Sequence, residues 1–343
     1  HTDADPEIDY QTWNTKYSGT WRCFDYESGI IMNRFGLGTY AGGDDKSAFE
    51  TCSSEGSKTI NLELTDGRMY FLSIEVANAA GWQVSHQSDG VFVDSTPPEV
   101  RLDVRDGIDV YGRDMEWFAN TTHVAGTWWF LDGQSDLRYH EVSTVSQTEY
   151  ESLVANGKND AESVAAAIQA GTTSTNLMFG QKYDSRARSF VAEVDNELLD
   201  KTKYYLVARA TNGVGLTVSA LSDGFTVDVS PPECTKITNG LGKDFAHEPY
   251  FFTLSTISGW WNCSDGESGI QYFEWRIYTG AKNVLVDWMN VGLSSSVSKS
   301  LVVKPGDKFY VEVRATNFAG SQSTPLLSDL MTIDGDPPIL DYL

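Results

Sequence analysis

A short acidic turn is the first place where side chains of this sequence could do chemistry. The stretch Asp-Gly-Glu-Ser-Gly-Ile at 265–270 alternates acids with small residues, and related stretches occur at 25–30 and 132–137. A calcium loop of the EF-hand type also requires a bidentate Glu at its twelfth position. Counted from the first Asp of each turn, that position holds Gly36, Ser143 and Arg276. The three turns therefore do not fit this type of calcium loop.

The same stretch can be interpreted as an ordinary turn that comes after a strand. Asp265 or Ser268 can accept hydrogen bonds from backbone N–H groups there, and Gly269 can take a positive φ. In the second copy Asp136 replaces this glycine, and aspartate tolerates such a conformation better than most residues do. We therefore expect one type of tight turn, used three times.

Acids near the ends of the repeated units could still gather a calcium ion between neighbouring domains. The chain carries 48 Asp and Glu and a formal net charge of −23, so carboxylates lie close to any such junction. Solvated surface charge is the competing interpretation. No other cofactor is predicted. The candidates for calcium are Asp94, Asp228, Asp334 and Asp336.

The sequence contains none of the common catalytic motifs. The five His show no H-E-x-x-H spacing, and neither a G-x-S-x-G elbow nor a P-loop occurs. The glycine-rich stretch at 36–43 lacks a following helix, so we interpret it as a connection between strands. A pair of carboxylates for glycoside hydrolysis stays open, because only their separation would identify it. We predict that the protein is not an enzyme.

Composition excludes two classes of partner. The large negative charge argues against nucleic acids and anionic membranes, since binding to both depends on clustered Lys and Arg. No run of 18 apolar residues occurs, so we predict no direct insertion into a membrane. The chain begins with neither Met nor an apolar signal segment, and we expect a processed chain or a piece of a longer one.

Cysteines and sequons indicate an oxidising, extracellular compartment. Cys23 and Cys52 are 29 residues apart, as are Cys234 and Cys263. N-glycosylation sequons at Asn120 and Asn262 fit the same compartment. Four free, buried thiols are the alternative.

Three long segments repeat along the chain, at 70–100, 204–234 and 309–340. Each begins with an aromatic residue and alternates apolar and polar residues, as a strand with one buried face does. Eight residues after the aromatic comes an Asn-x-x-Gly turn, followed by a Ser-Asp pair and then by a Pro-Pro pair. The asparagines of these turns are Asn78, Asn212 and Asn317.

Upstream of each segment lies a Trp four residues before an Asp. These pairs are Trp21 and Asp25, Trp128 and Asp132, and Trp261 and Asp265. A strand with a buried Trp, then an acidic turn, then another strand is typical of the centre of a two-sheet sandwich. At 343 residues the chain has room for three such domains of about 100 residues each.

This pattern resembles fibronectin type III and related immunoglobulin-like modules. Those modules have a Leu, a Tyr six residues later, and then a strand that ends in Ala-x-Asn-x-x-Gly. The matching pairs are Leu64 and Tyr70, Leu198 and Tyr204, and Val303 and Phe309. More narrowly, segments such as Ser88–Pro98 look like a tandem family of large secreted and cell-surface proteins, in which such modules act as structural or adhesive spacers. Unit three has Phe309 in place of this Tyr. We therefore do not expect in unit three the hydrogen bond that the tyrosine hydroxyl makes at the corner before the strand.

The resemblance implies an all-β chain of three tandem fibronectin type III/Ig-like β-sandwiches. We place them at 1–94 (unit one), 95–229 (unit two) and 230–335 (unit three), with 336–343 as the start of a further module or a donor strand. Unit two has an insertion at about 148–171. Asp160 can cap a helix through about Gln169 that Gly171 ends, and this helix would either cover an exposed strand or form a contact site.

Unit one is predicted to lack its first strand. Only 18 residues precede its Gly19, whereas 27 residues (99–125) and 26 residues (233–258) precede the matching glycines of units two and three. Either the chain is a piece of a longer array, or the tail of one molecule completes unit one of the next by donor-strand exchange. The tail residues expected at such an interface are Pro337, Ile339, Leu340 and Leu343.

The repeat also places the cysteines and the tryptophans. Cys234 begins the first strand of unit three and Cys263 ends the second, so antiparallel pairing would bring these two together. A Cys23–Cys52 bridge would instead pin a later loop to the second strand of unit one. Three Trp are predicted to face solvent and to bind sugar rings or a neighbouring subunit, with partial burial under loops as the alternative. They are Trp82, Trp129 and Trp260.

These observations favour a non-enzymatic, extracellular structural or adhesive repeat segment, part of a cell-surface, matrix or appendage filament. Its partners would be neighbouring repeats or copies of itself, or other extracellular proteins or glycans. The alternative is a carbohydrate-binding module or a receptor ectodomain.

Overall fold

The structure is a computed structural model, and it describes residues 8–107, 113–173, 181–240, 250–251 and 255–341. Three β-sandwiches succeed one another along these residues, and they correspond to units one, two and three. Each sandwich has one larger sheet built around the strand that carries the Asn-x-x-Gly turn, and one smaller sheet built around the Trp strand.

Unit one has its larger sheet in the order β1-β8-β6-β3-β4, with β7 also paired to β6. Within the described residues, the Trp strand β2 pairs only with β5. The strands are β1 (Tyr10–Gln11), β2 (Lys16–Arg22), β3 (Ile30–Gly38), β4 (Ser47–Thr51), β5 (Glu55–Asn61), β6 (Arg68–Asn78), β7 (Gln83–Gln87) and β8 (Val91–Val93).

Unit two has sheets in the orders β14-β11-β9 and β10-β17-β15-β12-β13, with β16 paired to β15. Its elements are β9 (Glu99–Asp106), β10 (Trp117–Phe118), β11 (His123–Leu131), β12 (Leu137–Ser146), α1 (Gln147–Ala155), α2 (Ala161–Gln169), β13 (Tyr183–Asp184), β14 (Ser189–Glu193), β15 (Lys203–Asn212), β16 (Thr217–Leu221) and β17 (Phe225–Val227).

Unit three has sheets in the orders β18-β20-β23 and β19-β26-β24-β21-β22, with β25 paired to β24. Its strands are β18 (Glu233–Asn239), β19 (Tyr250–Phe251), β20 (Thr256–Ser264), β21 (Ile270–Thr279), β22 (Val284–Asn290), β23 (Ser296–Ser300), β24 (Lys308–Asn317), β25 (Leu326–Leu327) and β26 (Met331–Ile333).

The predicted Trp residues lie between the two sheets of units two and three. Trp128 and Trp261 are fully buried, and each packs edge-on or tilted against aromatic side chains of its own unit. In unit one Trp21 is only half-buried, although it stacks on Phe35 with ring centroids 5.6 Å apart. Burial of such large side chains removes more apolar area from water than any other core residue does.

A tyrosine hydroxyl closes the corner before the long strand in two of the units. Thr65 N–H donates to the Tyr70 hydroxyl (2.7 Å), and Leu199 N–H donates to that of Tyr204 (2.9 Å). In unit three Phe309 is buried at the same place and has no hydroxyl, as the sequence indicated. The matching N–H of Lys304 donates instead to the Asp307 carboxylate (2.8 Å).

The two-sheet architecture and these corners confirm the predicted fold class, three tandem fibronectin type III-like β-sandwiches.

The insertion of unit two contains two helices. Asp160 accepts the Ser163 N–H at the start of α2, and Ser146 does the same for Glu149 at the start of α1. The buried face of α2, with Val164 and Ile168, packs against the sheet over β15 and β16. Ser219 on β16 donates its N–H and its hydroxyl to the Glu162 carboxylate. The insertion therefore covers polar backbone of β16 as well as an apolar sheet face.

Candidate functional site: the module junctions

Asn212 joins units one and two through a single side chain. Its Oδ1 accepts the Leu216 N–H (2.8 Å), which fixes the orientation of the amide. Its Nδ2 then faces three acceptors: Asp94 Oδ2 at 3.1 Å, Asp132 Oδ2 at 3.1 Å and the carbonyl oxygen of Thr96 at 3.0 Å. Asp94 is the last residue of unit one, so an amide of unit two holds the end of the preceding sandwich.

Asn317 repeats this arrangement between units two and three. Its Oδ1 accepts the Ser321 N–H (2.8 Å), and its Nδ2 faces Asp228 Oδ2 at 3.1 Å and Asp265 Oδ2 at 3.2 Å. The carbonyl oxygen of Ser230 lies 3.0 Å away and completes the set. The two junctions therefore use the same atoms in the same roles.

Unit one contains only part of this arrangement within the residues that the structure describes. Asn78 Oδ1 accepts the Trp82 N–H (2.9 Å), and Asn78 Nδ2 donates to Asp25 Oδ2 (3.1 Å). No carboxylate from a preceding unit faces this amide among residues 8–107. The amide can therefore accommodate a further acceptor.

The first Asp of each acidic turn accepts the amide of the Asn-x-x-Gly turn in its own unit. In unit one, Asp25 Oδ1 accepts the N–H groups of Ser28 and Gly29, both at 2.8 Å. Gly29 and Gly269 have φ of 72° and 79°, and Asp136 replaces them with a φ of 58°, so the predicted turn is confirmed. The pKa of Asp25 falls to about 2, first because the Asn78 amide donates to it and then because of these turn N–H groups.

The acids that end the three units are not equally buried. Asp94 and Asp228, each of which precedes another unit, are fully buried, whereas Asp334, at the same place in unit three, is exposed. Burial works to raise the pKa of Asp228, but donors from Ser268 and Ser230 outweigh it and hold the pKa below its ordinary value. Hydrogen bonds thus favour the charged form of Asp228.

The predicted calcium ligands at the junctions already receive protein donors. Asp94 Oδ1 accepts from the backbone and hydroxyl of Thr96, and Asp228 Oδ2 accepts from the Ser268 N–H as well as from Asn317. Asp334 and Asp336 are exposed at the end of unit three. Calcium at these four residues stays a prediction.

At the second junction, two further acids lie near Asp228. Oxygens of Asp200, Asp228 and Glu267 lie within 4.8 Å of one another. Glu267 also pairs with Lys201 of unit two at 2.7 Å, and this pair raises the pKa of Lys201. An ion pair across the junction therefore accompanies the shared amide.

One of the two predicted disulfides forms. Cys234 and Cys263 are opposite each other on β18 and β20 and are bonded. Cys23 and Cys52 are half-buried free thiols, so the predicted second bridge is not present in the structure. Cys23 Sγ lies 3.8 Å from Asn33 Oδ1 instead, and burial raises the pKa of both thiols.

The predicted glycosylation sites are both exposed. Asn120 lies in the loop before β11, where its side chain accepts from Thr122 and His123. Asn262 lies on β20 beside the disulfide, and its amide donates to Thr235 Oγ1 at 3.1 Å. Both are accessible to modification, which stays a prediction.

The three tryptophans predicted to face solvent differ in exposure. Trp82 is 77% exposed directly after the Asn-x-x-Gly turn of unit one, where its backbone N–H donates to Asn78. Trp129 is 40% exposed, and the Arg188 guanidinium lies 4.3 Å from its ring. Trp260 is half-buried beside Lys236. The alternative of partial burial thus applies to Trp260, and an Arg already covers one face of Trp129.

The predicted tail residues are exposed where the structure describes them. Ile339 and Leu340 are 91% and 76% exposed, and Pro337 is exposed as well. Leu343 lies outside the described residues.

Sequence reasoning missed two exposed aromatic residues beside the unfilled Asn78 amide. Phe24 and Tyr26 flank Asp25, are 66% and 90% exposed, and contact each other with ring centroids 4.9 Å apart. The matching positions of unit three hold Ser264 and Gly266. In unit two they hold Leu131 and Gly133, so alignment of the three turns would have singled out Tyr26, where the other two units have glycine.

Comparisons with known proteins concern the fold. The sequence matches no protein-family model and no curated protein sequence. Similar solved structures include the FN1–FN3 domains of chicken CNTN1, at 15% identity over 94% of this chain and 96% of that chain, with a TM-score of 0.39. The fibronectin(III)-like modules of Clostridium thermocellum CbhA are 12% identical over 67% of this chain and 94% of theirs (TM-score 0.36).

A tetra-tandem repeat from the extending region of a large adhesion protein is 16% identical over 95% of this chain and 73% of that chain (TM-score 0.25). The sheets described above, rather than these overall likenesses, establish the fold. Neither α1 nor α2, the helices within the described residues, is long and apolar enough to cross a membrane.

Proposed function

We propose that this chain is a non-enzymatic structural or adhesive segment of an extracellular repeat array, within a cell-surface, matrix or appendage filament. The observation that carries the proposal is the repeated junction, in which Asn212 and Asn317 each hold the buried carboxylate that ends the preceding sandwich. Such junctions fix the spacing between neighbouring modules, and a structural segment requires a fixed spacing.

The physical effect of each junction is to restrict the linker between sandwiches. Asp94 is fully buried, and separating this segment from Asn212 breaks the bonds of the Asn212 amide to Asp94 Oδ2 and to the Thr96 carbonyl oxygen. Unpairing one buried polar partner costs about 1–3 kcal/mol. The Pro97-Pro98 pair next to it removes backbone freedom as well. These contacts, rather than a flexible linker, therefore hold one sandwich in position relative to the next.

The same junction could continue beyond this chain. The Asn78 amide donates to Asp25, and the neighbours of Asp25 in sequence, Phe24 and Tyr26, are exposed. Asp334 presents an exposed carboxylate of the kind that Asn212 holds. We propose that a neighbouring repeat, or a copy of this chain, places such a carboxylate on Asn78. The open edge of β2 would then receive a strand equivalent to β9 or β18.

Small-angle scattering on the full chain tests the restricted linker. Asn212→Asp keeps the oxygen that accepts the Leu216 N–H but replaces the donor with a third carboxylate. We expect a larger maximum dimension or a signature of flexibility, and faster proteolysis between units one and two. Asn61→Asp makes the same charge change at an exposed site and serves as the control. Scattering and cleavage unchanged in Asn212→Asp would contradict the proposed role of the junction.

A carbohydrate-binding or receptor module is the second candidate, favoured by the exposed ring of Trp82. Electron microscopy and a glycan array separate the two functions. Fibres formed by the purified chain support the filament, whereas a monodisperse protein that is retained on the array, and loses retention in Trp82→Ala, supports the second candidate.

A further inference from the structure

A second group of acids lies in unit two, apart from the junction residues. Asp106 ends β9, Asp114 precedes β10, and Asp223 lies in the short connection between β16 and β17. One oxygen of each carboxylate lies within 4.8 Å of the others. Two ligand oxygens on opposite sides of a calcium ion are separated by about 4.6–5.2 Å, since each Ca–O distance is 2.3–2.6 Å. The spacing therefore suits one shared divalent cation.

Asp106 distinguishes this group from an ordinary acidic surface patch. It is 1% exposed, and within the part of the chain that the structure describes neither of its carboxylate oxygens has a hydrogen-bond partner. The Ser222 hydroxyl and the Gly224 N–H lie close enough to favour its charge, but neither completes a hydrogen bond. Buried carboxylates almost always have a donor or a cation. An unpartnered, buried carboxylate with one oxygen inside a group of acids indicates that a ligand is needed there.

The other two carboxylates are placed by the backbone. Asp114 Oδ1 accepts the Asp106 N–H at 2.6 Å, and the Met115 N–H donates to the Asp106 carbonyl oxygen at 2.9 Å, so the two segments are held side by side. Asp223 is exposed, and it is followed by Gly224, whose φ of 91° allows the tight turn into β17. The group is thus preformed and reachable from solvent through Asp223.

Unit three shows what the fold alone requires at this place. Asn239 ends β18 as Asp106 ends β9, and a glycine with positive φ comes after each of them. Asn239 is buried too, and its amide donates to the carbonyl oxygen of Asp329, the counterpart of Asp223 (3.0 Å). A neutral amide thus makes one hydrogen bond at this place in unit three, while its Oδ1 has no partner among the described residues. Unit two instead places a carboxylate there, beside two further acids.

We propose that Asp106, Asp114 and Asp223 form a binding site for one divalent cation with oxygen ligands, of the calcium type. Carboxylate oxygens are the preferred ligands of such hard cations, and the extracellular setting proposed above would supply calcium. Since the site joins β9, the segment before β10 and the start of β17, the cation would tie the first and last strands of unit two together.

Burial, with the charges of Asp114 and Asp223, raises the pKa of Asp106 to about 8. A neutral, protonated Asp106 with no cation is therefore the competing explanation, and the experiment has to separate the two.

Calorimetric titration of the full chain, stripped of metal with EDTA, tests the site with CaCl2 as the probe. We expect saturable binding, with stoichiometry that falls by one in Asp106→Asn and affinity at least tenfold weaker in Asp114→Asn. At about 100 times the Kd, calcium should raise the melting temperature of unit two by about 5–10 °C. Asp106→Asn copies the residue of unit three and is therefore compatible with the fold.

Two control variants locate the binding. Asp103→Asn changes an exposed acid of the same strand and should bind calcium as the unmodified chain does. Glu267→Gln removes an acid of the second junction and should leave this binding event intact. The proposal is overturned if the unmodified chain binds no calcium, or if Asp106→Asn binds it equally well. If Asp106→Asn melts at a higher temperature than the unmodified chain, and by the same amount with EDTA and with calcium, then Asp106 is a protonated acid that binds no cation.

Discussion

The Asn212 side chain donates to the Asp94 carboxylate across 118 positions of sequence, and in doing so it fastens the end of one sandwich to the turn of the next. Asn317 and Asp228 are related in the same way across 89 positions. The asparagine of a hairpin turn, which would ordinarily be explained by its local backbone conformation, therefore has a second role that only a tandem array requires.

The exposed Asp334 provides a control for this role within the same chain. Asp94→Ala removes the acceptor of the Thr96 N–H and one of the three acceptors that face the Asn212 amide, so we expect unit two to lose about 1–3 kcal/mol of stability. Asp334→Ala removes the same side chain at an exposed position and should change stability by no more than about 0.5 kcal/mol. Calorimetric unfolding of both variants gives the comparison, and equal effects would refute it.

The corner before the long strand gives a second prediction. Tyr204→Phe removes the acceptor of the Leu199 N–H, and we expect a loss of about 1 kcal/mol in unit two. Phe309→Tyr restores the family's hydroxyl in unit three, but Asp307 already accepts the matching N–H of Lys304, so we expect no gain. Asp307→Ala should therefore destabilise unit three, as Tyr204→Phe does unit two. Urea denaturation measures all three, and a clear gain in Phe309→Tyr would show that Asp307 is no substitute.

How far the sequence predicts this molecule depends on whether a feature repeats. The sheets, the turns at Gly29 and Gly269, and the fold class are predictable from patterns that occur three times. A feature that occurs once is harder to predict, and the Asp307 carboxylate, which accepts the N–H that a tyrosine hydroxyl accepts in the other units, is an example. The unpartnered state of Asp106 depends on burial and on distances between segments far apart in sequence, and a chain with 48 acids offers no pattern to single it out.

The unequal cysteine pairs give a third prediction. Alkylation of the denatured, unreduced chain should label two thiols, those of Cys23 and Cys52. Replacing both Cys234 and Cys263 by Ala should cost unit three about 3–4 kcal/mol, by the loop-entropy relation for a separation of 29 residues. Mass spectrometry and calorimetry provide the measurements. Absence of labelled thiols would mean that the Cys23–Cys52 bridge predicted from the sequence does form in the isolated protein.

His140 makes the stability of unit two depend on pH. It is 1% exposed beside Trp128, and burial lowers its pKa against a weaker opposite effect of Asp184. The unfolded chain, with an ordinary His pKa of about 6.5, therefore binds the proton more tightly than the folded one does. Stability contributed by neutral His140 is present above that pH and is lost as the pH falls below it.

His140→Phe removes this titration and keeps an aromatic ring against Trp128. The acid Asp106 has a raised pKa and acts in the opposite sense, since its stabilisation is lost as the pH rises toward 8. The measurement is therefore the difference in melting temperature between the unmodified chain and His140→Phe, in which the effect of Asp106 cancels. We expect this difference to be constant above about pH 7 and to move in favour of His140→Phe from about pH 6.5 downward. A difference that does not change between pH 5 and pH 8 would show that His140 protonates in the folded chain as readily as in the unfolded one.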